Sequence, residues 1–295
     1  MSYAAAIRNI TLQFMHDTRR KIRTMRPYYL RLQRWAPIPE TAIPGDGAWC
    51  ILCGWRGDSF DGIAHSESGA CPRCHSIGRD RFQYLSLIQR VPRHDGTRIL
   101  ETSPRLKHAY QRAMRRRADY FTSDYDQRAH RGKIRLNLEK MELPDRSLDV
   151  LMTAHVLEHV ADTDAALGEI YRVLQPGGHL LLQVPLLQAV TTPPAKPEFH
   201  EDHTPVLWRF GLDLTERLRS HGFMTTVLVT EEMYRRVVAR DVDWPDPLFP
   251  EFDANALILH ADPADLTIIA SDAIAQRAWL QPCYMFVVWH CTKPG

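Results

Sequence analysis

Cys50 and Cys53, then Cys71 and Cys74, form two CxxC pairs with seventeen residues between them. Each pair is a short knuckle from which two sulfurs can reach one ion. Two knuckles supply the four thiolates that a structural zinc prefers. Four thiolates close a tetrahedral sphere and leave no position for a reacting molecule. Such a site contributes folding energy to a module too small for a core of its own. The intervening GWRGDSFDGIAHSESGA has the glycines and polar residues of a small ribbon loop. His75, beside Cys74, could replace a ligand, and four reduced thiols without metal are the alternative. Cys283 and Cys291 lie on a late apolar stretch and read as core residues.

A second set of reactive side chains ends short apolar runs. Glu101 closes Arg98-Ile99-Leu100, Asp124 closes Ala118–Ser123, Asn137 lies in Ile134–Leu138, and His155 stops Val150-Leu151-Met152 through Ala154. An acidic residue at the end of such a run can accept hydrogen bonds from ribose hydroxyls. His155, Glu158 and His159 in HVLEHV, and His200 and His203 in EFHEDH, are candidates for moving a proton. Each has a bland alternative: Glu158 and His159 could cap a helix. His200 and His203 could make a second metal site or only a polar surface loop.

The elements that must position these groups are legible in the periodicity. The stretch Asp149–Pro185 reads as strand, polar corner, helix (Ala165, Leu167, Ile170, Val173 and Leu174 on one face), a Pro176-Gly177-Gly178 stop, and a second strand. Two apolar strands joined by a helix imply parallel neighbours with a right-handed crossover. Strands alternate with helices over about 100 residues before it, which predicts an α/β fold with a doubly wound, mostly parallel sheet. In such sheets ligands bind outside the carboxyl ends of the strands, where Glu101, Asp124, Asn137 and His155 stand. Thr191–Pro197 suits a lid. Leu212–Ser220 reads as a helix, Phe223–Val229 as a strand, and Tyr284–Trp289 as a last, antiparallel strand.

Length and charge bound the rest. A chain of 295 residues, 44% hydrophobic and 24% charged, has ample core for one large domain or two smaller ones. Residues 1–34 hold eight Lys/Arg against one acid, Asp17, and residues 105–117 hold six more. The first reads as a basic amphipathic arm, either for a polyanion such as nucleic acid or an anionic membrane surface, or simply packed on its own domain. No apolar run approaches the roughly 18 residues of a membrane span, and no h-region of a secretory signal is present. Cysteine usage suits a reducing, cytoplasmic setting. The expected organisation is an arm at 1–40, a zinc-ribbon module at 45–78, and a domain at 79–295 carrying an insertion at 235–280.

The run from Leu148 to Pro185, with HVLEHV and RVLQPGG, resembles the class I S-adenosylmethionine-dependent methyltransferases, especially the methyltransferase type 11 branch. CPRCHSIGRDR (71–81), ILETSPR (99–105), YFTSD (120–124), LNLEKMELPDRSLDVL (136–151) and EDHTPVLWRFGLDLTERLRSHGF (201–223) extend it to a subgroup with an N-terminal zinc ribbon. The resemblance covers about residues 50–230 and implies a seven-stranded sheet. It implies that Glu101, Thr102 and Ser103 face the methionine part of S-adenosylmethionine. Asp124 would hold the ribose, Asn137 and Leu138 the adenine edge, and His155 would stand beside the methyl; among the candidate bases read from the residues, His155 ranks first and His203 second. One departure stands out. Thr102-Ser103-Pro104-Arg105 replaces the glycine-rich loop at which most members let the backbone approach the cofactor. Three readings follow: a small-molecule or glycan methyltransferase with an unidentified acceptor, an RNA methyltransferase using the basic arm, and a non-catalytic binding protein on the same fold.

Overall fold

The computed structural model describes residues 30–39, 45–62, 69–126, 132–200, 203–243, 254–280 and 287–295. Arg31–Gly295 form one compact unit. Residues 1–29 and 40 of the expected arm fall outside the described residues, as does Cys283, while residues 30–39 are described.

In chain order, β1 (Ala48–Trp49) and β2 (Arg56–Gly57) pair antiparallel around the first cysteine knuckle, and α1 (Gly78–Arg90) leaves the second. There follow β3 (Arg98–Thr102), α2 (His108–Arg115), β4 (Asp119–Asp124), β5 (Ile134–Arg135) and β6 (Leu148–Ala154). After a 3-10 turn at Leu157–His159 come α3 (Thr163–Val173), β7 (Leu174–Gln183), and the small pair β8 (Glu198–Phe199) and β9 (Pro205–Val206). The chain closes with α4 (Leu214–Ser220), β10 (Met224–Thr230), α5 (Glu231–Ala239), α6 (Ala254–His260), β11 (Leu266–Ala270), α7 (Asp272–Ala278) and β12 (Val288–Thr292).

The main sheet runs β11-β10-β12-β7-β6-β3-β4-β5, and β12 alone lies antiparallel to its neighbours. This is the mostly parallel α/β sheet that the periodicity predicts, with one correction: it has eight strands, not seven. The eighth, β11, comes from the segment expected as an insertion. Its LTIIA sequence is short and β-branched, and it pairs parallel to β10 at the sheet edge. Proline, aspartate and alanine around it conceal that pattern.

Strand alternation sets the core. Leu180 and Leu182 of β7, Leu151 of β6, and Trp289 and Cys291 of β12 join Leu167, Ile170, Leu214 and Leu218 in one buried cluster. Leu181 between them points to the opposite face, where α1 packs on β7 and β12. Asp162 caps α3 by accepting the Ala165 N–H at 2.9 Å.

The Pro176-Gly177-Gly178 stop needs correcting. The helix ends at Val173, and Leu174 already pairs with Leu148 of β6. The Pro-Gly-Gly run is a bulge inside β7, after which Val150 pairs with His179. Gly177 takes φ +75°, and a Cβ on Gly178 would stand 2.8 Å from the Gln175 carbonyl oxygen.

Candidate active site and cysteine cluster

The strand ends that were expected to carry ligand groups do converge. A cavity of about 720 Å³ opens at the carboxyl ends of β3, β4 and β6, within the roughly 300–1,000 Å³ of small-molecule sites. Thr102, Ser103, Asp124, Asn137, Leu138 and His155 all line it. Glu101 and His203 are not among its lining residues.

Ser103 shows how the chain manages without glycine. Its φ is +45°, the left-handed region that glycine-rich loops use, and its N–H donates to the Ser123 carbonyl at 2.7 Å. A Cβ in that region costs roughly 1–2 kcal/mol. The loop is held from its far end. Arg105 forks onto Asp80 and donates Nη2–H to the His75 carbonyl at 2.7 Å. Asp80 in turn accepts the Ile77 N–H at 2.8 Å, capping α1. The turn beside the cavity is thus braced by the second cysteine knuckle.

Glu101 faces sideways. It accepts from the Tyr120 hydroxyl at 2.5 Å. Burial raises its pKa to about 7, against hydrogen bonds from Tyr120 and Tyr110 that favour the charged form. Asp124 ends β4 and is 6% exposed. Asn137 uses its side-chain oxygen locally, accepting the Glu139 N–H at 3.0 Å in an Asx turn. Leu138 beside it is buried.

His155 ends β6 with φ +54°, its N–H donating to the Gln183 carbonyl at 2.8 Å. Such backbone is uncommon outside glycine and costs free energy that the surroundings must hold in place. Burial, then the charges of Arg79, His159 and His200, push its pKa well below the ordinary value, so the ring is neutral near pH 7. Its Nδ1 lies 3.8 Å from Glu158 Oε1, and His159 Nε2 lies 3.7 Å from the same oxygen. His200 packs edge-on against His159, ring centroids 4.9 Å apart. His203 sits on the same turn, exposed, with φ +66°. Glu201 and Asp202 lie outside the described residues.

The proline-rich segment expected as a lid is anchored at its N-terminal end. Thr192 bridges to Arg209, and the Thr191 N–H donates to Asp213 at 2.8 Å. From this region it is His200 and Thr204 that line the cavity. Sequence reasoning gave no role to Arg79 and Tyr125, which also line it. Arg79 lies in the CPRCHSIGRDR run, and Tyr125 is an exposed ring directly after Asp124, so both signals were available.

Away from the cavity, the four cysteines meet. Cys50 and Cys74 sulfurs are 3.6 Å apart, Cys53 and Cys71 3.7 Å, and all four lie within 4.8 Å of one another. A tetrahedron with Zn–S of about 2.3 Å has edges of about 3.8 Å. None of the four is in a disulfide. Burial would raise the Cys50 thiol, yet hydrogen bonds from the other three and the charge of Arg81 pull it well below its ordinary value. Cys74 is pushed up, first by its bond with Cys50. Four sulfurs this close cannot all ionise without a cation among them.

Arg81 is the group that sequence reasoning missed. It is fully buried, donates to Ala278, Gly69 and Ser76 carbonyls, and stacks over Phe60 at 4.1 Å. Among the described residues its Nη2 has no hydrogen-bond partner; burial lowers its pKa, against the nearby Cys50 sulfur, the Asp80 carboxylate and the Cys71 and Cys74 sulfurs, which favour its charge. Of the basic residues at 105–117, Arg105 is engaged by Asp80, and Arg117 by the Leu32 and Gln33 carbonyls. Lys107, Arg112, Arg115 and Arg116 are exposed, and Arg115 donates to the Gln111 side-chain oxygen at 3.4 Å. Among the described residues, no helix is long and apolar enough to cross a membrane.

With this geometry in place, comparison with known proteins gives a consistent signal over part of the chain. Residues 109–182 match the family described as "Methyltransferase domain". A probable S-adenosylmethionine-dependent methyltransferase of Mycolicibacterium smegmatis is 36% identical over 88 residues, 30% of this chain and 33% of that protein. The ubiquinone/menaquinone biosynthesis C-methyltransferase UbiE of Pseudoalteromonas translucida is 43% identical over 49 residues, 17% of this chain and 20% of that protein. The chain therefore spans a third or less of the length of these relatives. An S-adenosylmethionine-dependent methyltransferase structure from Mesorhizobium loti aligns over 69% of this chain and 94% of its own, at 15% identity and a TM-score of 0.38. The methyltransferase-domain segment, residues 109–182, runs from α2 to β7 and carries Asp124, Asn137, Leu138 and His155 of the cavity.

Proposed function

We propose that the chain binds S-adenosylmethionine in the cavity at the ends of β3, β4 and β6 and transfers its methyl group to a small-molecule or glycan acceptor. The observation that carries this is the convergence of Thr102, Ser103, Asp124, Asn137, Leu138 and His155 on one cavity, together with the match of residues 109–182. A sulfonium methyl is already activated, so the protein's task is alignment of the acceptor. The left-handed Ser103 supports binding despite the missing glycines, because one residue of the loop takes the backbone region that glycine favours. That favours the catalytic reading over a silent binding protein.

The residues divide the task by position. Asp124, at the end of β4, would accept from ribose hydroxyls. Leu138 offers an apolar surface and Tyr125 an exposed ring at the adenine end. His155, neutral and at the rim, would take the proton of a hydroxyl or amine acceptor. The cysteine cluster would hold one zinc in a structural role, remote from this chemistry, with Arg81 offsetting the negative charge that four thiolates leave around the ion.

The experiment is transfer of labelled methyl from S-adenosylmethionine into cell extract, fractionated by molecule class. Label in the small-molecule or glycan fraction, lost with His155→Asn, supports the proposal. Label in RNA, or none in any fraction, sinks it.

A further inference from the structure

The Glu158 carboxylate is 1% exposed, and its Oε1 lies 3.7 Å from His159 Nε2. His159 Nδ1 lies 2.7 Å from the Pro205 carbonyl oxygen. A carbonyl only accepts, so Nδ1 carries the hydrogen and Nε2 is left to face the carboxylate. Donation of the second ring N–H to a backbone carbonyl is also how metal-ligating histidines are oriented. The same segment is pinned further, since Leu207 and Trp208 N–H groups donate to the Glu158 backbone carbonyl at 2.8 and 3.2 Å.

His200 completes the set. One ligand atom each from Glu158, His159 and His200 lies within 4.8 Å of the others. Ligands about 2.1 Å from one ion stand at most about 4.2 Å apart, so a small rotation of exposed His200 closes the site. Two imidazoles and one carboxylate suit a divalent first-row ion and leave coordination positions open. His159 and His200 both line the cavity beside His155.

We infer that Glu158, His159 and His200 form a second, open divalent-cation site at the rim of the cavity, which binds an ionisable oxygen of the acceptor. The acceptor would then be a phenol, enol or hydroxy compound able to ligate the ion. The assignment of the ion's role rests on the methyl-transfer reading; the ion site itself does not.

Mn²⁺ titration of the full chain, followed by loss of the free-ion electron paramagnetic resonance signal, tests this. Mn²⁺ favours oxygen and nitrogen ligands over the cysteine cluster. One Mn²⁺ per chain is expected, with affinity lowered about tenfold or more in His200→Ala and within about threefold of wild type in His203→Ala. His200 is exposed, so its removal spares the fold, and a thermal melt verifies that. No Mn²⁺ binding to the wild type, or equal binding by His200→Ala, overturns the inference. Calorimetric titration of S-adenosylmethionine into the same samples separates the two claims. S-adenosylmethionine bound without Mn²⁺ overturns the ion site alone. Mn²⁺ bound with the expected variant pattern, but without S-adenosylmethionine, supports the ion site and overturns only the methyl-transfer reading.

Discussion

Ser103 carries more of the account than its type suggests. A serine at φ +45° does the work expected of a glycine, and its Cβ costs roughly 1–2 kcal/mol. Ser103→Gly should raise stability by up to about 1 kcal/mol, because the glycine's extra unfolded freedom takes back about 0.5–1 kcal/mol. Chemical denaturation checks this, and a clear loss of stability would contradict it. Glu101 gives a pH test. Its folded pKa of about 7 lies above the ordinary carboxyl value, so the folded state holds a proton that the unfolded state releases. Stability should therefore fall between about pH 4.5 and pH 7 and level off above, by about 3 kcal/mol. Glu101→Gln should flatten that decline; an unchanged profile would remove Glu101 from the explanation. His155→Asn keeps a side chain that tolerates left-handed backbone. It should lower kcat about 10²–10³-fold while S-adenosylmethionine affinity changes less than about threefold. An equal loss in both would make His155 a binding group instead.

At the scale of elements, the cysteine knuckles and the cavity loop are one mechanical unit. The path runs from Cys71 through the His75 carbonyl and Asp80 to Arg105 and the loop carrying Ser103. Arg105→Ala should leave the fold intact and weaken S-adenosylmethionine binding about tenfold, the worth of a charge-assisted contact of about 1.5 kcal/mol; unaltered binding would show the brace to be incidental. Arg81→Met should lower stability by about 3 kcal/mol and reduce zinc retention, since it strips the counter-charge from buried thiolates. Metal analysis and denaturation of the same sample read both, and wild-type zinc content would contradict it. Neither brace was legible beforehand. CxxC spacing reports ligands within a few residues of each other, whereas the Arg81 contacts to Gly69 and Ala278 span up to 197 residues.

For the whole molecule, the βαβ stretch and the parallel order were legible because apolar runs end in polar residues at strand spacing. That rule, together with the family resemblance, singled out His155, Asp124 and Asn137, which line one cavity. What escaped was tertiary. β11 hides in a segment of mixed composition, and its following helix α7 packs toward β1 rather than the cavity. Phe60 and Trp279 meet edge to face at 5.3 Å across that junction. The segment expected as an insertion thus widens the sheet and buttresses the cysteine module. Glu101 and His203 lie outside the cavity lining because strand alternation and loop conformation, which strand-end position does not report, decide where those side chains go.

The central claim is that the cavity at the ends of β3, β4 and β6 holds S-adenosylmethionine. Calorimetric titration of the full chain with S-adenosylmethionine tests it most directly, alongside Asp124→Asn. The account predicts one molecule bound per chain, weakened about tenfold or more in the variant by loss of a charge-assisted hydrogen bond to ribose. No detectable heat at millimolar ligand, or equal binding by Asp124→Asn, would contradict it.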